Sequence, residues 1–225
     1  MSPDAPELNA GVERNIMKAR IKAWLMALVL VTNFAVPAIA GSLEALQEGA
    51  TAFAHRDYAT ALRLLRPLAE TGNPQAMTIL GEIFYNGQGV QDYAEAARWY
   101  RKAAEQGEAH AMANLGLMND LGRGVPQNYA EAGTWYRKAA EQGEPLAMVG
   151  LGEIFYHGLG APQDYVQAHK WYNLAAANST TKFRDLAVKD RDLVAGKMTA
   201  AQIAEAQSLA REWKPTSASS PKRLP

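Results

Sequence analysis

The ten-residue string WYRKAAEQGE occurs twice in this chain, at residues 99–108 and again at residues 135–144. A third and weaker copy begins at residue 171, so the Trp-Tyr pair recurs every 36 residues. A Leu-Gly pair recurs with nearly the same period, beginning at residues 80, 115 and 151. Self-similarity at a fixed period of roughly 20–50 residues is typical of solenoids, in which neighbouring units bury one continuous core. The repeat therefore predicts a stacked array of short units.

Each unit has the pattern of two helices joined by a glycine-rich turn. In the first full unit, the first helix is predicted over residues 76–87, and the second begins after Asp92 as its N-cap. Glu95 stands three residues after Asp92, which predicts a capping box. Gly107 is expected to end the second helix, because glycine tolerates the left-handed conformation found there. The same pattern predicts N-caps at Asn128 and Asp164.

The repeat divides the chain into five predicted segments. Residues 1–40 are predicted as an N-terminal extension with a signal peptide, and residues 41–75 as a degenerate N-terminal repeat whose first helix spans residues 43–55. Residues 76–179 contain three repeats, at 76–110, 111–146 and 147–179. Residues 180–214 are predicted as C-terminal capping helices, with Thr199 and Gln202 in capping-box positions. Residues 215–225 have no apolar pattern and are predicted to be disordered.

The N-terminal segment has the three parts of an export signal. Lys18, Arg20 and Lys22 form a positive region, residues 23–31 are an apolar run, and Ala38-Ile39-Ala40 is a cleavage signal of small residues. We therefore expect a periplasmic or secreted protein, cleaved after Ala40 and without membrane attachment afterwards. An uncleaved membrane anchor is the alternative. Translation could begin at Met1 or at Met17, just before the basic cluster.

Composition excludes several classes of function. The chain has 23 basic and 23 acidic residues among its 225. A balanced charge disfavours nonspecific nucleic-acid binding, which needs a basic surplus to displace counterions from phosphates. The absence of cysteine excludes disulfides, thiolate metal sites and cysteine nucleophiles.

No motif in the chain predicts a catalytic, metal or cofactor site. The four histidines are not at the spacing of a metal-binding motif. Two of them, His110 and His157, are expected near the ends of first helices as ordinary surface groups. The chain contains neither a GxSxG or SxxK nucleophile motif nor a phosphate-binding glycine loop. We therefore predict a protein that is not an enzyme, with no catalytic residue, no metal and no cofactor.

The repeated string itself predicts packing. Ala96, Tyr100 and Ala103 share one face of the second helix, where small residues allow close helix approach and the aromatic rings supply buried area. The Tyr100 hydroxyl is expected to bond to neighbouring backbone. Lys102 and Glu105 stand three residues apart on the outer side and are expected to form an ion pair, like Lys138 and Glu141. An aromatic ligand site and a charge-reading site are the alternatives.

The repeated positions resemble the Sel1-like repeat, a relative of the tetratricopeptide repeat. The likeness extends well over residues 76–179 and loosely over residues 42–75, and the segment from residue 198 to 213 is similar to the closing helix of bacterial members. The positions that carry it in the first full unit are Ala76, Leu80-Gly81, Phe84, Gly87, Gly89-Val90, Asp92, Ala96, Trp99-Tyr100, Lys102-Ala103-Ala104 and Gly107.

This resemblance implies an all-α fold, a right-handed α/α solenoid of helix-turn-helix repeats closed by a C-terminal capping helix. It also implies an adaptor or scaffold that binds a protein or peptide partner in the bacterial cell envelope. A hydrolase acting on a β-lactam or on peptidoglycan is an alternative by family analogy, although this chain lacks the cysteines of those relatives. A self-associating array is a further alternative, and the oligomeric state stays open.

Partner binding is expected where the first helices of the units differ from one another, because such solenoids expose those helices on one face. In the middle unit, Asn119 and Asp120 replace an aromatic pair, which indicates either a groove for a peptide or a locally loosened repeat. The candidate partner-binding residues are Thr78, Glu82, Asn86, Leu117, Asn119, Asp120, Leu121, Val149, Glu153 and His157.

Overall fold

The computed structural model describes residues 36–87, 90–179 and 181–216. These residues contain α-helices and no strand. The helices are α1 Val36–Ala54, α2 Tyr58–Glu70, α3 Pro74–Asn86, α4 Tyr93–Glu105, α5 Ala109–Leu121, α6 Tyr129–Ala140, α7 Pro145–His157, α8 Tyr165–Asn178, α9 Thr181–Ala195 and α10 Ala200–Glu212.

The chain divides into two compact units, residues 1–48 and residues 49–225. In the first unit the described residues, 36–48, are helical and contain the predicted cleavage position after Ala40. The basic region and apolar run of the predicted signal lie outside the described residues, as do residues 217–225 of the predicted tail. No helix in the described ranges combines the length and apolar character needed to cross a membrane.

The helices of the second unit begin at the predicted caps. The side chains of Asp92, Asn128 and Asp164 accept hydrogen bonds from backbone N–H groups in the first turns of α4, α6 and α8, which confirms these three N-caps. The capping box predicted at Glu95 is wrong. Its carboxylate instead accepts a hydrogen bond from Trp99 Nε1 at 2.9 Å. The capping box of Thr199 and Gln202 at the start of α10 is confirmed.

The helices pack in sequence order as an α-solenoid, as predicted. Helices α3 and α4, α5 and α6, and α7 and α8 form the three hairpins, and each second helix also packs against the first helix of the next unit. The first helices α3, α5, α7 and α9 contact one another along the array. At its end α10 packs against α8, and the rings of Trp171 and Trp213 meet edge to face at a centroid distance of 6.3 Å.

A tyrosine–glycine contact joins the two helices of each hairpin. Tyr100, Tyr136 and Tyr172 are buried, and each ring lies directly on the glycine of the Leu-Gly pair in its own unit. A methyl group at Gly81, Gly116 or Gly152 would approach the tyrosine ring to within 2.6 Å. The two repeated pairs, Leu-Gly and Trp-Tyr, are therefore halves of a single packing contact.

The predicted surface ion pairs on the second helices are wrong. Lys102 Nζ lies 4.5 Å from the centre of the Trp99 ring, and Lys138 Nζ lies 4.6 Å from that of Trp135. A lysine three residues after a tryptophan reaches the face of the indole ring, and the attraction of the cation to the ring keeps it there. These two lysines therefore form cation–π contacts with tryptophan in place of the predicted ion pairs with glutamate.

Candidate functional site

The first helices α3, α5, α7 and α9 share one surface, and most of the predicted partner-binding residues lie on it. Asn86, Leu121 and His157 are exposed at the ends of their helices. Leu121 is the apolar residue among these three, and 46% of its surface is exposed. Five further candidates are partly buried: Glu82, Leu117, Asp120, Val149 and Glu153.

Two of the predicted binding residues, Thr78 and Asn119, are buried. The Thr78 hydroxyl donates to the Pro74 carbonyl oxygen at 2.9 Å and to Glu108 Oε2 at 3.2 Å. The Asn119 side chain donates to the Leu115 carbonyl oxygen at 2.8 Å within its own helix. A buried polar group is tolerated where such a bond replaces its lost contact with water. Contrary to the prediction, neither side chain lies on the surface that a partner would meet.

Four carboxylates, one from each first helix, form what we call the acidic row: Glu82 on α3, Asp120 on α5, Glu153 on α7 and Asp190 on α9. Burial raises the pKa of Asp120, and the negative charge of Glu153 raises it further. Burial likewise raises the pKa of Asp190, again with a contribution from Glu153. The row was only partly visible in the sequence, because Asp190 lies outside the repeated pattern.

The buried tyrosines of the second helices reach between the first helices to this row. The Tyr136 hydroxyl donates to Asp120 Oδ2 at 3.5 Å. Burial raises the pKa of Tyr172, and the nearby charge of Glu153 adds to the effect. The Tyr100 hydroxyl is buried without a hydrogen-bond partner, beside Glu82 and Tyr85. The predicted bond from the Tyr100 hydroxyl to neighbouring backbone is therefore not formed, and the Tyr136 and Tyr172 hydroxyls face the row carboxylates Asp120 and Glu153.

His110 connects three consecutive units and is not the ordinary surface group that the sequence predicted. Its Nε2 atom lies 2.9 Å from Glu82 Oε1 on α3, and its Nδ1 atom lies 3.6 Å from an oxygen of Glu144, the N-cap of α7. The carboxylates of Glu144 and then Glu82, which pair with the ring, raise the pKa of His110 to about 10. The imidazole is thus a protonated bridge between units at neutral pH. Elsewhere on this surface, His157 pairs with Glu153 at 3.2 Å.

Aromatic pairs that hold a cation occur at the far ends of the first and third units. The Tyr85 and Tyr93 rings lie 5.3 Å apart, and the Arg123 guanidinium lies about 5.5 Å from both ring centres and donates to the Tyr85 hydroxyl. In the third unit, Lys197 lies over Tyr156 and Tyr165 in the same way. Sequence reasoning missed both sites. A usable signal was the basic residue that directly follows a turn glycine, at Gly122-Arg123 and at Gly196-Lys197.

The middle unit has the same framework without the cation. Asp120 stands at the position of Tyr85 and Tyr156, Tyr129 at that of Tyr93 and Tyr165, and Leu159 at that of Arg123. A cavity of about 110 Å³ lies beside Tyr129 and Leu159. A second cavity of about 220 Å³ is lined by His110, Glu144 and residues of α7 and α9. In the part of the chain that the structure describes, no group of three or more His, Cys, Asp or Glu is placed to hold a metal ion.

The repeats and the fold have counterparts among known proteins. The Sel1 repeat family model matches residues 74–108, 109–144 and 145–179. The crystal structure of a protective antigen present in uropathogenic Escherichia coli strains, which displays an SLR fold, is 37% identical with a TM-score of 0.63; the match covers 68% of this chain but only 32% of that protein. The crystal structure of a Sel1 repeat protein from Oxalobacter formigenes is 30% identical with a TM-score of 0.62, over 75% of this chain and 68% of that one. No curated protein matches the chain.

Proposed function

Because this chain belongs to the Sel1 repeat family, whose repeats commonly serve as protein-interaction modules, we propose that it is an exported module that binds a protein or peptide partner in the bacterial cell envelope. The proposed binding surface is that of the first helices α3, α5, α7 and α9. The predicted signal peptide supports export.

The observation that carries the proposal is the division of labour between the two helices of a unit. Second-helix residues that repeat, such as Tyr100 and Tyr136, are buried and pack against the glycines of the first helices. First-helix residues that differ between units, such as Leu121 and His157, remain exposed. Packing has to be the same in every unit, whereas recognition of one partner needs a surface that varies. The first-helix surface therefore fits a binding role.

Export has a direct test. The full chain is produced in a bacterium, the cells are fractionated, and the N-terminus of the protein in the periplasm or medium is sequenced. We expect the mature chain to begin at Gly41, because Ala38 and Ala40 form the small-residue cleavage signal. A protein found only in the cytoplasm, or kept in the membrane with residues 1–40 attached, would contradict cleavage and export.

Partner binding is tested with a photo-crosslinking amino acid at one exposed position of each helix type. Leu121, at the end of α5, is the probe position, and Thr134, exposed on α6, is the matched control. We expect a discrete crosslinked protein from position 121 in intact cells and none from position 134. Equal crosslinking from both positions, or none from position 121, would contradict a partner on the first-helix surface.

The purified protein is assayed in parallel with a chromogenic β-lactam and with peptidoglycan. We expect no turnover of either, since the proposal assigns the molecule a binding role. Turnover that survives further purification would favour the hydrolase alternative over the binding module.

A further inference from the structure

Asp120 differs from its neighbours in the acidic row in its charge environment. His110 pairs with Glu82, His157 pairs with Glu153, and Lys189 lowers the pKa of Asp190. Among the described residues, no basic side chain forms an ion pair with Asp120. A partly buried carboxylate next to other carboxylates is strongly stabilised by any cation that reaches it.

The flanking units show where such a cation would lie. In all three units, a glutamine side chain donates to the main-chain carbonyl near the end of the first helix, Gln91 to Tyr85, Gln127 to Asp120 and Gln163 to Tyr156. Gln127 also donates to the Tyr129 hydroxyl at 2.9 Å, as Gln91 does to that of Tyr93 at 3.1 Å. The three positions are therefore built alike, and the units serve as structural comparisons for one another.

In the first and third units, a basic side chain from the next unit lies over the aromatic pair at the end of the first helix. Arg123 supplies this side chain in the first unit and Lys197 in the third, each from the turn that follows the next first helix. In the middle unit the corresponding turn residue is Leu159, which carries no charge. At the same time the first-helix aromatic ring is replaced by the Asp120 carboxylate. The middle position thus has a carboxylate in place of the aromatic ring, and the turn of the next unit supplies no cation to match it.

The hydroxyls of the buried tyrosines show how the Asp120 carboxylate distinguishes the middle unit from the first, where Tyr85 stands at the same position. Tyr100 is only 1% exposed, and its hydroxyl has no hydrogen-bond partner. The hydroxyl of the equivalent residue Tyr136 donates to Asp120. The Tyr100 hydroxyl lies beside Glu82 and Tyr85. Buried hydroxyls without a partner are rare in native proteins, since each loses its bonds to water without replacement.

We propose that Asp120 and Tyr129 bind an arginine or lysine side chain of a partner peptide, in the place that Arg123 and Lys197 take in the flanking units. This inference rests on the proposed function and specifies its partner as a basic peptide segment. The carboxylate supplies charge, and the tyrosine ring supplies a face for the cation.

The test uses the mature protein and a defined probe, a fluorescein-labelled octapeptide with arginine at its third and sixth positions and glycine and serine elsewhere. Binding is followed by fluorescence anisotropy, beside the same peptide with glutamate in place of arginine. We expect saturable binding of the arginine peptide that weakens as salt is raised, and no binding of the glutamate peptide, because the interaction is electrostatic. Equal binding of the two peptides would overturn the proposal.

Two substitutions locate the binding. Asp120→Asn removes the charge without changing the shape, and we expect the dissociation constant of the arginine peptide to rise about tenfold or more. The matched control is Glu105→Gln, an equal change of charge at an exposed position of α4. This variant should leave the dissociation constant of the arginine peptide unchanged. If Asp120→Asn also leaves it unchanged in a folded protein, the proposal is wrong.

A gain of internal charge gives an opposite kind of test. Leu159→Arg supplies the middle unit with the cation of the first unit, so we expect it to compete with the peptide and to weaken binding about as much as Asp120→Asn does. Leu159→Gln, of similar polarity but without charge, is the control and should bind the peptide normally. Equal effects of the two Leu159 variants would count against internal competition and hence against the proposed position.

Further experiments distinguish a peptide ligand from a free polyamine, and the basic-peptide proposal from the proposed function on which it rests. Spermidine should displace the peptide no better than sodium chloride of the same ionic strength; displacement at far lower ionic strength would overturn the peptide as the ligand in favour of a free polyamine. If the arginine peptide fails to bind while residue 121 still crosslinks to a partner, the binding function stands and the basic peptide is wrong. If residue 121 crosslinks to nothing, the proposed function fails whatever the peptide does.

Discussion

At the scale of single residues, the fold depends on glycines that let tyrosine rings into the helix interface. Tyr136 is held between two of them, Gly116 in its own unit and Gly150 in the next. Added methyl groups at these positions would lie 2.6 Å from opposite sides of the ring. A ring enclosed on both sides cannot move away from an added atom, so the space at these glycines is a firm requirement of the packing.

We predict that Gly116→Ala lowers the free energy of unfolding by about 1–3 kcal/mol, although alanine is the better helix former, because overpacking outweighs the gain in propensity. The matched control is Gly133→Ala in α6, where the added methyl would meet only the end of the Ile154 side chain, at 3.3 Å. That control should be neutral or stabilise by up to about 1 kcal/mol. Urea unfolding followed by circular dichroism measures both. Similar effects of the two variants would contradict the enclosed ring.

At the scale of helices, His110 joins elements that the chain connectivity leaves apart. It lies in the first turn of α5 and reaches Glu82 on α3 and Glu144 at the start of α7. Its folded-state pKa of about 10 is above the ordinary value of 6.5. The stability that its charge contributes is therefore fully present below about pH 6.5, decreases between pH 6.5 and 10, and is lost above that range.

We predict that His110→Gln lowers the free energy of unfolding at pH 6 by about 1 kcal/mol, a modest amount because the side chain is 44% exposed and solvent screens its charge. The difference between the wild type and the variant should shrink as pH rises toward 10. His157→Gln, which loses a pair on a single helix with the histidine 52% exposed, is the control with a smaller effect. A difference for His110→Gln that does not change with pH would exclude a charged bridge.

Helix ends show how far local sequence rules extend. The N-caps at Asp92, Asn128 and Asp164 and the capping box at Thr199 were predicted, because a cap needs only residues within one turn. The Glu95 box and the lysine–glutamate pairs were predicted by the same kind of rule and are wrong. In each case a tryptophan offered a competing contact, to Glu95 through its ring nitrogen and to Lys102 through its ring face. Spacing alone does not rank such competitors.

At the scale of the whole molecule, a solenoid has only nearest-neighbour contacts between its units. Helix α10 covers the exposed side of α8 at the end of the array, and Thr216 beyond it bonds to the Glu141 carbonyl at the end of α6. Loss of this cap should therefore be felt most in the last unit and least in the first.

We predict that a chain ending at Met198 loses about 2–4 kcal/mol of unfolding free energy, because the buried residues Ala206 and Ala210 and the Trp213 ring no longer cover α8. Hydrogen exchange should show the greatest loss of protection in α7 and α8 and the least in α3 and α4. A chain ending at Thr216 keeps α10 and its bonds and serves as the control. An equal loss of protection in every unit would contradict nearest-neighbour stability.

The sequence by itself determined the repeat, its helical composition, the turn positions, the closing helix and the family. These follow from local periodicity and from pairs such as Leu80-Gly81 and Trp99-Tyr100, whose spacing recurs in every unit. The exposed candidate binding residues could also be predicted, because the sequence shows which first-helix residues differ between units. That they bind a partner stays a prediction.

Only the tertiary structure decided which varying residues face outward and which charges meet. Thr78 and Asn119 vary as Asp120 does, yet they are buried and bonded. The acidic row, the His110 bridge and the cations Arg123 and Lys197 each join residues from different units. Such contacts depend on the rotation and distance between stacked hairpins, which a one-dimensional repeat leaves open. The physical reason is that packing within a unit is local in sequence, whereas the surface available to a partner is assembled between units.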